Sequence, residues 1–423
     1  MESRCFVSLR ASIRLLGMLA FIGSCVNSLA VEPESNGMLN QLLARPLGNP
    51  LGLEWEGWLE QGFSWNPDSP ADRFNGPVNQ NDRANEYQMN QLYLIASKPV
   101  DDTSDHWSCG FQADLLYGTD AFFFQALGLD DRIVSDSNSR FYKLALPQLY
   151  AELYAPIGSG VTIQLGKWFT PVGYETGLPN DDFFYSKAIG FNNTPYSHTG
   201  ILMSFDLGDH WSFSHGLHRG TDVWEDNNEN LGYCGSAQWA NEEESTVCTF
   251  AINLGPEQDE RADFQDIDGS PGPDAPGENL YRVTYSLTLE QRINERLQYV
   301  ANHDYFYQEG SETFAIENAE AYGLTQFLIY DYSDCLSLGA RLEVYRDDDG
   351  FVGSGFRSLN AAAPGVYTNL TLGIQRLLTP SCYVRPEIRW DWQSRDDTAD
   401  TPAFDDGTST HQFLVATDLV LWF

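Results

Sequence analysis

The sequence predicts an all-β fold: a transmembrane up-and-down antiparallel β-barrel of about 16 strands, with counts from 14 to 18 compatible. Three observations predict it. Segments of about ten residues alternate apolar and polar side chains. The connections between them alternate short and long. The last segment, Thr410–Phe423, is itself alternating and ends on an aromatic residue. Successive side chains of a strand point to opposite faces, so a period of two marks a wall with one apolar and one polar side. A meander through an outer membrane needs tight turns on the periplasmic side and longer loops outside.

The bulk numbers narrow the class. The 423 residues carry 24 Lys and Arg against 60 Asp and Glu, a formal charge of -36, which argues against a nucleic-acid partner. Aromatic residues make up 13%, too many for a disordered acidic chain. Residues 1–30 read as a cleaved export signal. Arg4, Arg10 and Arg14 form the basic region, Leu15 to Ile22 the apolar stretch, and Ser28-Leu29-Ala30 the cleavage site. A second reading stays open, because Ile22-Gly23-Ser24-Cys25 resembles a lipoprotein box. Residues 31–54 form a periplasmic leader, in which Met38 to Arg45 can make a helical turn before Pro46 and Pro50 break it. Residues 55–423 form the barrel. Beyond residue 30 no apolar run is long enough for a membrane helix, which excludes a helical membrane protein and leaves a barrel untouched.

The expected strands are 55–65, 87–98, 107–118, 147–156, 161–168, 197–207, 211–219, 232–239, 246–254, 280–289, 296–305, 320–330, 335–346, 365–376, 382–393 and 411–423. Alternation is cleanest late in the chain. Val283, Tyr285, Leu287 and Leu289 oppose Arg282, Thr284, Ser286 and Thr288. Leu338, Leu342 and Val344 oppose Arg341, Glu343 and Tyr345. Val384, Ile388, Trp390 and Trp392 oppose Arg385, Glu387, Arg389 and Asp391. Short connections such as 157–160, 208–210, 331–334 and 377–381 alternate with long ones such as 119–146, 169–196, 255–279 and 347–364. The tetrapeptide Asp-His-Trp-Ser occurs at 105–108 and 209–212, each time entering a strand from a short turn, where Trp107 and Trp211 suit the membrane interface.

In the last strand Phe413, Val415, Leu419, Leu421 and Phe423 share one face. Phe423 with its alternating apolar neighbours resembles the signal read by the outer-membrane barrel assembly machinery. This strand must pair with Trp55–Trp65, because two bare rows of N–H and C=O groups in lipid cost several kcal/mol per group.

Several phrases are similar to those of the OmpL-like β-barrel porin family. They are Gly57-Trp58-Leu59 with Gly62 and Asn66-Pro67, Phe74-Asn75, Asn90-Gln91-Leu92-Tyr93-Leu94, and Trp107 with Gly110 and Asp114. Tyr117-Gly118-Thr119-Asp120-Ala121, Leu146-Pro147-Gln148-Leu149-Tyr150-Ala151-Glu152 and Gly166-Lys167-Trp168-Phe169 continue the series. Gly173-Tyr174-Glu175, Phe184-Tyr185-Ser186 and His198-Thr199-Gly200 complete it. The resemblance runs from Trp58 to about Gly220; beyond that only general barrel character is visible. It implies an outer-membrane porin and no catalytic residues.

A barrel of this size with a polar lumen holds a water-filled channel for small polar solutes or ions. Arg282, Arg341, Arg385 and Arg389, with Glu343, Glu387 and Asp391 among them, are expected to line it. In general porins the third outer loop folds inward. Here that loop is 169–196, and its Glu175, Asp181 and Asp182 are expected to face the basic wall across the constriction, setting a transverse field. The plainer alternative is that these charges pair with cross-strand neighbours. Porins with an inward third loop are often trimers, which implies a homotrimer by analogy alone. Outer-membrane lipids are the remaining expected partner. Cys234 and Cys248 are symmetric about residue 241, which suggests a cross-strand disulfide if 232–239 and 246–254 form a hairpin; two buried thiols are the alternative. Nothing calls for a cofactor or a metal. Two rivals keep the fold: a non-conducting surface adhesin or structural barrel, and an outer-membrane hydrolase, against which the lack of G-x-S-x-G and HExxH speaks.

Overall fold

The computed structural model describes residues 52–134, 141–226, 228–257, 280–310, 317–351, 363–395 and 401–423. The export signal and nearly all of the leader lie outside these residues. The strands are β1 Glu54–Trp65, β2 Tyr87–Lys98, β3 Ser108–Gly118, β4 Lys143–Ala145, β5 Leu149–Ala155, β6 Val161–Phe169, β7 Ser197–Leu207, β8 Trp211–Thr221 and β9 Gly232–Ala240. They continue as β10 Thr246–Pro256, β11 Tyr281–Asn294, β12 Leu297–Gln308, β13 Ala319–Ser333, β14 Leu336–Asp347, β15 Gly365–Thr379, β16 Cys382–Arg395 and β17 His411–Trp422. All pairings are antiparallel and join chain neighbours, except that β4 and β5 both pair with β3, and β1 pairs with β17, so the sheet closes on itself.

The seventeen strands make sixteen staves. Both β4 and β5 pair with β3: Gly118 faces Lys143 and Leu116 faces Ala145, whereas Ala113 faces Leu149. The pairing slips by one residue across Leu146-Pro147-Gln148, because Pro147 has no N–H to give to the ladder. Alternation alone does not reveal this interruption, and the expected strand 147–156 lacks its upper piece. The other expected strands are all present, several of them longer. Seven short turns and eight long loops join the staves, so both ends of the described chain lie on the short-turn side.

The wall has its apolar face outward. Leu338, Leu342, Val344, Leu372, Ile388, Trp390, Phe413 and Val415 are exposed, while the alternate positions Arg341, Glu343, Asn369, Thr371, Arg385, Glu387, Arg389 and Asp391 are buried inside. A solvent-facing apolar band around a polar interior is the arrangement lipid selects. Trp107, Ile157, Leu207, Trp211, Tyr332 and Leu378 are exposed near the short turns, forming an interface belt that contains both repeat tryptophans. Closure runs from Trp58 opposite Trp422 to Trp65 opposite Val415, and the Phe423 N–H donates to the Gly57 carbonyl at 3.0 Å.

The packed core sits inside the barrel. Trp58 stacks on Tyr93 at 4.1 Å, and with Leu116, Tyr383 and Val420 they meet Phe123 and Phe124 of the single-turn helix α1, Ala121–Phe124, and the loop residues Leu178, Phe191 and Tyr196. What fills the lumen is thus the loops, chiefly that between β6 and β7.

Cys234 and Cys248 are both free thiols. Cys234 faces Asn253, and Cys248 faces Trp239, which corrects the expected disulfide. The hairpin turns five positions away from the symmetric register, and an odd offset puts the two cysteines on opposite faces of the wall. Cys234 is buried within, against Trp168 and Leu202.

Candidate functional site

The loop between β6 and β7, residues 170–196, enters the barrel and lies against one side of it. Most of its residues from Phe183 to Asn192 are buried. The wall receives it with shaped sockets. A Cβ on Gly339 would lie 2.2 Å from Phe183, one on Gly373 2.9 Å from Phe184, and one on Gly62 2.2 Å from the Tyr185 hydroxyl, so only glycine leaves room for these rings. Phe183 and Phe184 then pack with Val300, Phe327 and Ile329.

Charged wall residues hold the loop, largely by its backbone. On β14, Arg341 donates to Glu175 at 2.6 Å, to the Ser186 carbonyl at 2.5 Å, to the Ser186 hydroxyl at 3.0 Å and to Thr371 at 3.1 Å. Glu343, two residues on, accepts the Ile189 and Gly190 N–H groups, both at 2.8 Å, where the 3₁₀ turn Gly190–Asn193 begins. On β16, Glu387 accepts the Tyr185 and Ser186 N–H groups. Arg389 donates to the Lys187 carbonyl and to Asp391. Arg385 donates to the Pro179 and Asp182 carbonyls at 2.8 and 2.7 Å, and its remaining N–H groups reach Asp418 on β17 and Glu60 on β1. It therefore ties the loop to the closing seam. These groups satisfy loop polar atoms that burial would otherwise leave orphaned, each at a cost of about 1–3 kcal/mol.

Within the loop, Lys187 pairs with Asp182, and Glu175 also accepts the Ala188 N–H at 2.8 Å. A second outer loop, 66–86, rests on this one. Gln80 donates to the Gly177 carbonyl at 2.9 Å, and Asn192 donates to that of Pro77 at 3.3 Å. Burial and the neighbouring Asp182 push the Asp181 carboxyl up to about 8.

The structure thus brings together Arg341, Glu343, Arg385, Glu387, Arg389 and Asp391 with Glu175 and Asp182. Arg282 stays apart, donating to Gln308 at 2.8 Å and lying over the Phe306 ring. Asp181 lies beside Asp182 without an arginine contact among the described residues. The expected field across a gap between loop and ladder needs correcting in its geometry. Arg341, Arg385 and Arg389 lie beneath the loop, at most 1% exposed, in direct contact with it. Opposite charges that meet within hydrogen-bond distance close the gap they were expected to span.

Open space remains on the other side of the loop. A cavity of about 70 Å³ lies between Thr170–Leu178 and the wall residues Gln238, Thr249 and Thr288. An adjoining cleft reaches Asn302, Asp304, Thr325 and Phe327. Sequence reasoning did not single out Asp304 or loop 66–86. On β12 the inward face mixes Val300 and Phe306 with Asn302 and Asp304, so no clean polar stripe marks it.

A closed sixteen-stave barrel with an apolar exterior, a polar interior and an inserted third loop defines a porin, a passive channel of the outer membrane. The sequence agrees: residues 52–423 match the family described as beta-barrel porin-2, OmpL-like, and the chain belongs to that family. No curated protein sequence matches it. Among solved structures it is similar to OprB of Pseudomonas putida, with a TM-score of 0.57 at 11% identity over 93% of this chain and 99% of that one. The anion-selective porin from Comamonas acidovorans gives 0.55 at 10% identity over 88% and 99%. OmpT of Vibrio cholerae in its trimer form gives 0.51 at 9% over 88% and 99%. These likenesses carry the fold.

Proposed function

We propose that small hydrophilic solutes and ions diffuse through the passage between loop 170–196 and the polar wall of β9 to β13. The observation that carries this reading is that the loop is fastened to β14 and β16 by buried charges, so that the lumen left over is bounded by Gln238, Thr249, Thr288, Asn302 and Thr325. The arginines act as fasteners that fix the width of the constriction, and their counterparts on the loop are the Glu175 carboxylate and the carbonyls of Pro179, Asp182, Ser186 and Lys187. Conductance of the purified protein in planar bilayers tests this, together with liposome swelling in small sugars. An inserted, folded barrel that passes no current would favour the non-conducting surface barrel instead.

Three further elements belong to the proposal. Residues 1–30 direct export of a cell-envelope protein in a bacterium with two membranes, and 31–53 remain as a periplasmic leader. The barrel works without catalysis. It assembles as a homotrimer, a reading supported by the trimer form of the Vibrio cholerae relative in fold. Cross-linking in detergent would reveal a trimer band.

A further inference from the structure

We propose that the passage selects small cations and that Asp304 sets this selectivity. The inference rests on the conducting passage just described and names the class of ion it prefers.

Asp304 points inward from β12. Its cross-strand neighbours are Ser286 on β11 and Gly323 on β13, both too small to cover it. Its Oδ2 accepts from Asn302 at 2.6 Å, and its Oδ1 is buried just behind the cleft surface without a hydrogen-bond partner. On the loop side stands Gly190, where a Cβ would come 3.4 Å from Oδ2. The carboxylate therefore borders the cleft beside the tip of the inserted loop, with one oxygen uncommitted.

The charges around the passage are lopsided. Among the described residues that line the cavity and the cleft, the charged ones are Glu175 and Asp304. Glu175 is matched by Arg341. The lumen's other cations are spent elsewhere. Arg385, Arg389 and Lys187 are each at most 1% exposed and bound to loop carbonyls or carboxylates, and Lys167 donates to the Phe124 and Leu146 carbonyls. Arg282 lies further along β11, near Glu257 and Asp222. Fastening the loop thus commits the positive charge and leaves, at the edge of the cleft, a carboxylate with no cation contact among the described residues. In a narrow, weakly screened passage a single carboxylate lowers the energy of a cation and raises that of an anion. The outer loops work in the same direction, carrying 33 acidic and 7 basic residues between the strands. Mouth charges of that kind are screened at high salt, whereas a carboxylate inside the passage is screened less.

The test is the reversal potential of the full-length protein in planar bilayers under a potassium chloride gradient, with the dilute side held near 1 M and both sides buffered at pH 9 so that the carboxyl is ionised. Wild type is expected to prefer potassium. Asp304→Asn, which keeps the shape, should lower the potassium-to-chloride permeability ratio by roughly threefold or more. Glu243→Gln removes the same charge from an exposed short turn and should leave the ratio unchanged. Heat-modifiable migration on gels verifies that each variant is a closed barrel. A wild-type channel that is unselective or prefers chloride overturns the inference, as does an Asp304→Asn effect no larger than that of Glu243→Gln. Either result leaves the conducting passage standing; absence of any current removes both.

Discussion

Arg341 and Glu175 meet at 2.6 Å, joining β14 to the inserted loop across 166 positions of chain. Arg341 is fully buried and Glu175 nearly so, touching the cavity at one edge, so the pair acts close to the strength of a buried contact. Removing one partner of a buried ion pair costs about 3–5 kcal/mol, most of it from stranding the other charge. Arg341→Ser is expected to free the loop while the lipid-facing wall stays intact. Single-channel conductance should rise and become noisy, and adding Glu175→Gln should recover part of the loss. Conductance identical to wild type would mean that the pair does not hold the loop.

Glu343 holds the Ile189 and Gly190 N–H groups at the start of the 3₁₀ turn. Glu343→Ala leaves both donors without acceptors, at about 1–3 kcal/mol each. Faster amide exchange at 189 and 190, with the strands unaffected, is the expected signature.

Phe183 occupies the space over Gly339. Gly339→Val fills it, and overpacking of this kind costs typically about 1–3 kcal/mol. The expected outcome is displacement of the loop toward the open side and a smaller conductance. Gly339→Ala should do the same to a lesser degree.

Asp181 is pushed up to about 8 from an ordinary value of 3.8, and its Oδ2 is buried without a hydrogen-bond partner. The folded loop therefore favours the protonated carboxyl. Its contribution is full below pH 3.8 and is lost as pH rises through about 8. Asp181→Asn should remove this dependence. Denaturant midpoints measured from pH 4 to 9 should show the variant gaining on wild type toward the alkaline end; parallel curves would refute the assignment.

Cys234 and Cys248 should both react with a thiol reagent in a denatured, unreduced sample, since they sit on opposite faces of the wall. Loss of both signals would restore the disulfide.

The barrel was legible because lipid imposes one rule on every strand. In β14 and β16 the outward residues Leu338, Leu342, Val344, Ile388 and Trp390 are apolar, and the inward Arg341, Glu343, Arg385, Glu387, Arg389 and Asp391 are charged, so each strand announces both faces. The loop's destination was less legible. That Arg341, Arg385 and Arg389 face inward follows from alternation, but what they touch depends on long-range register, which a local pattern does not carry. The buried amides Asn75, Asn79, Gln80 and Asn81 read as an ordinary polar loop, because packing among polar groups leaves no periodicity. Asp304 was hidden by apolar neighbours on its own face. The hairpin carrying the cysteines was read in the wrong register because sequence symmetry is not turn geometry.

The wall grips loop 170–196 through main-chain atoms: the N–H groups of 185, 186, 189 and 190 and the carbonyls of 179, 182, 186 and 187. Main-chain atoms are the same in every amino acid. At the four donor positions these bonds bar proline and read no side chain, which is left to the sockets over Gly62, Gly339 and Gly373. The main-chain part of the fastening is thus blind to composition, and the face of the loop turned toward the open side can be rewritten, by drift or by an engineer, without loosening that part of the bolt.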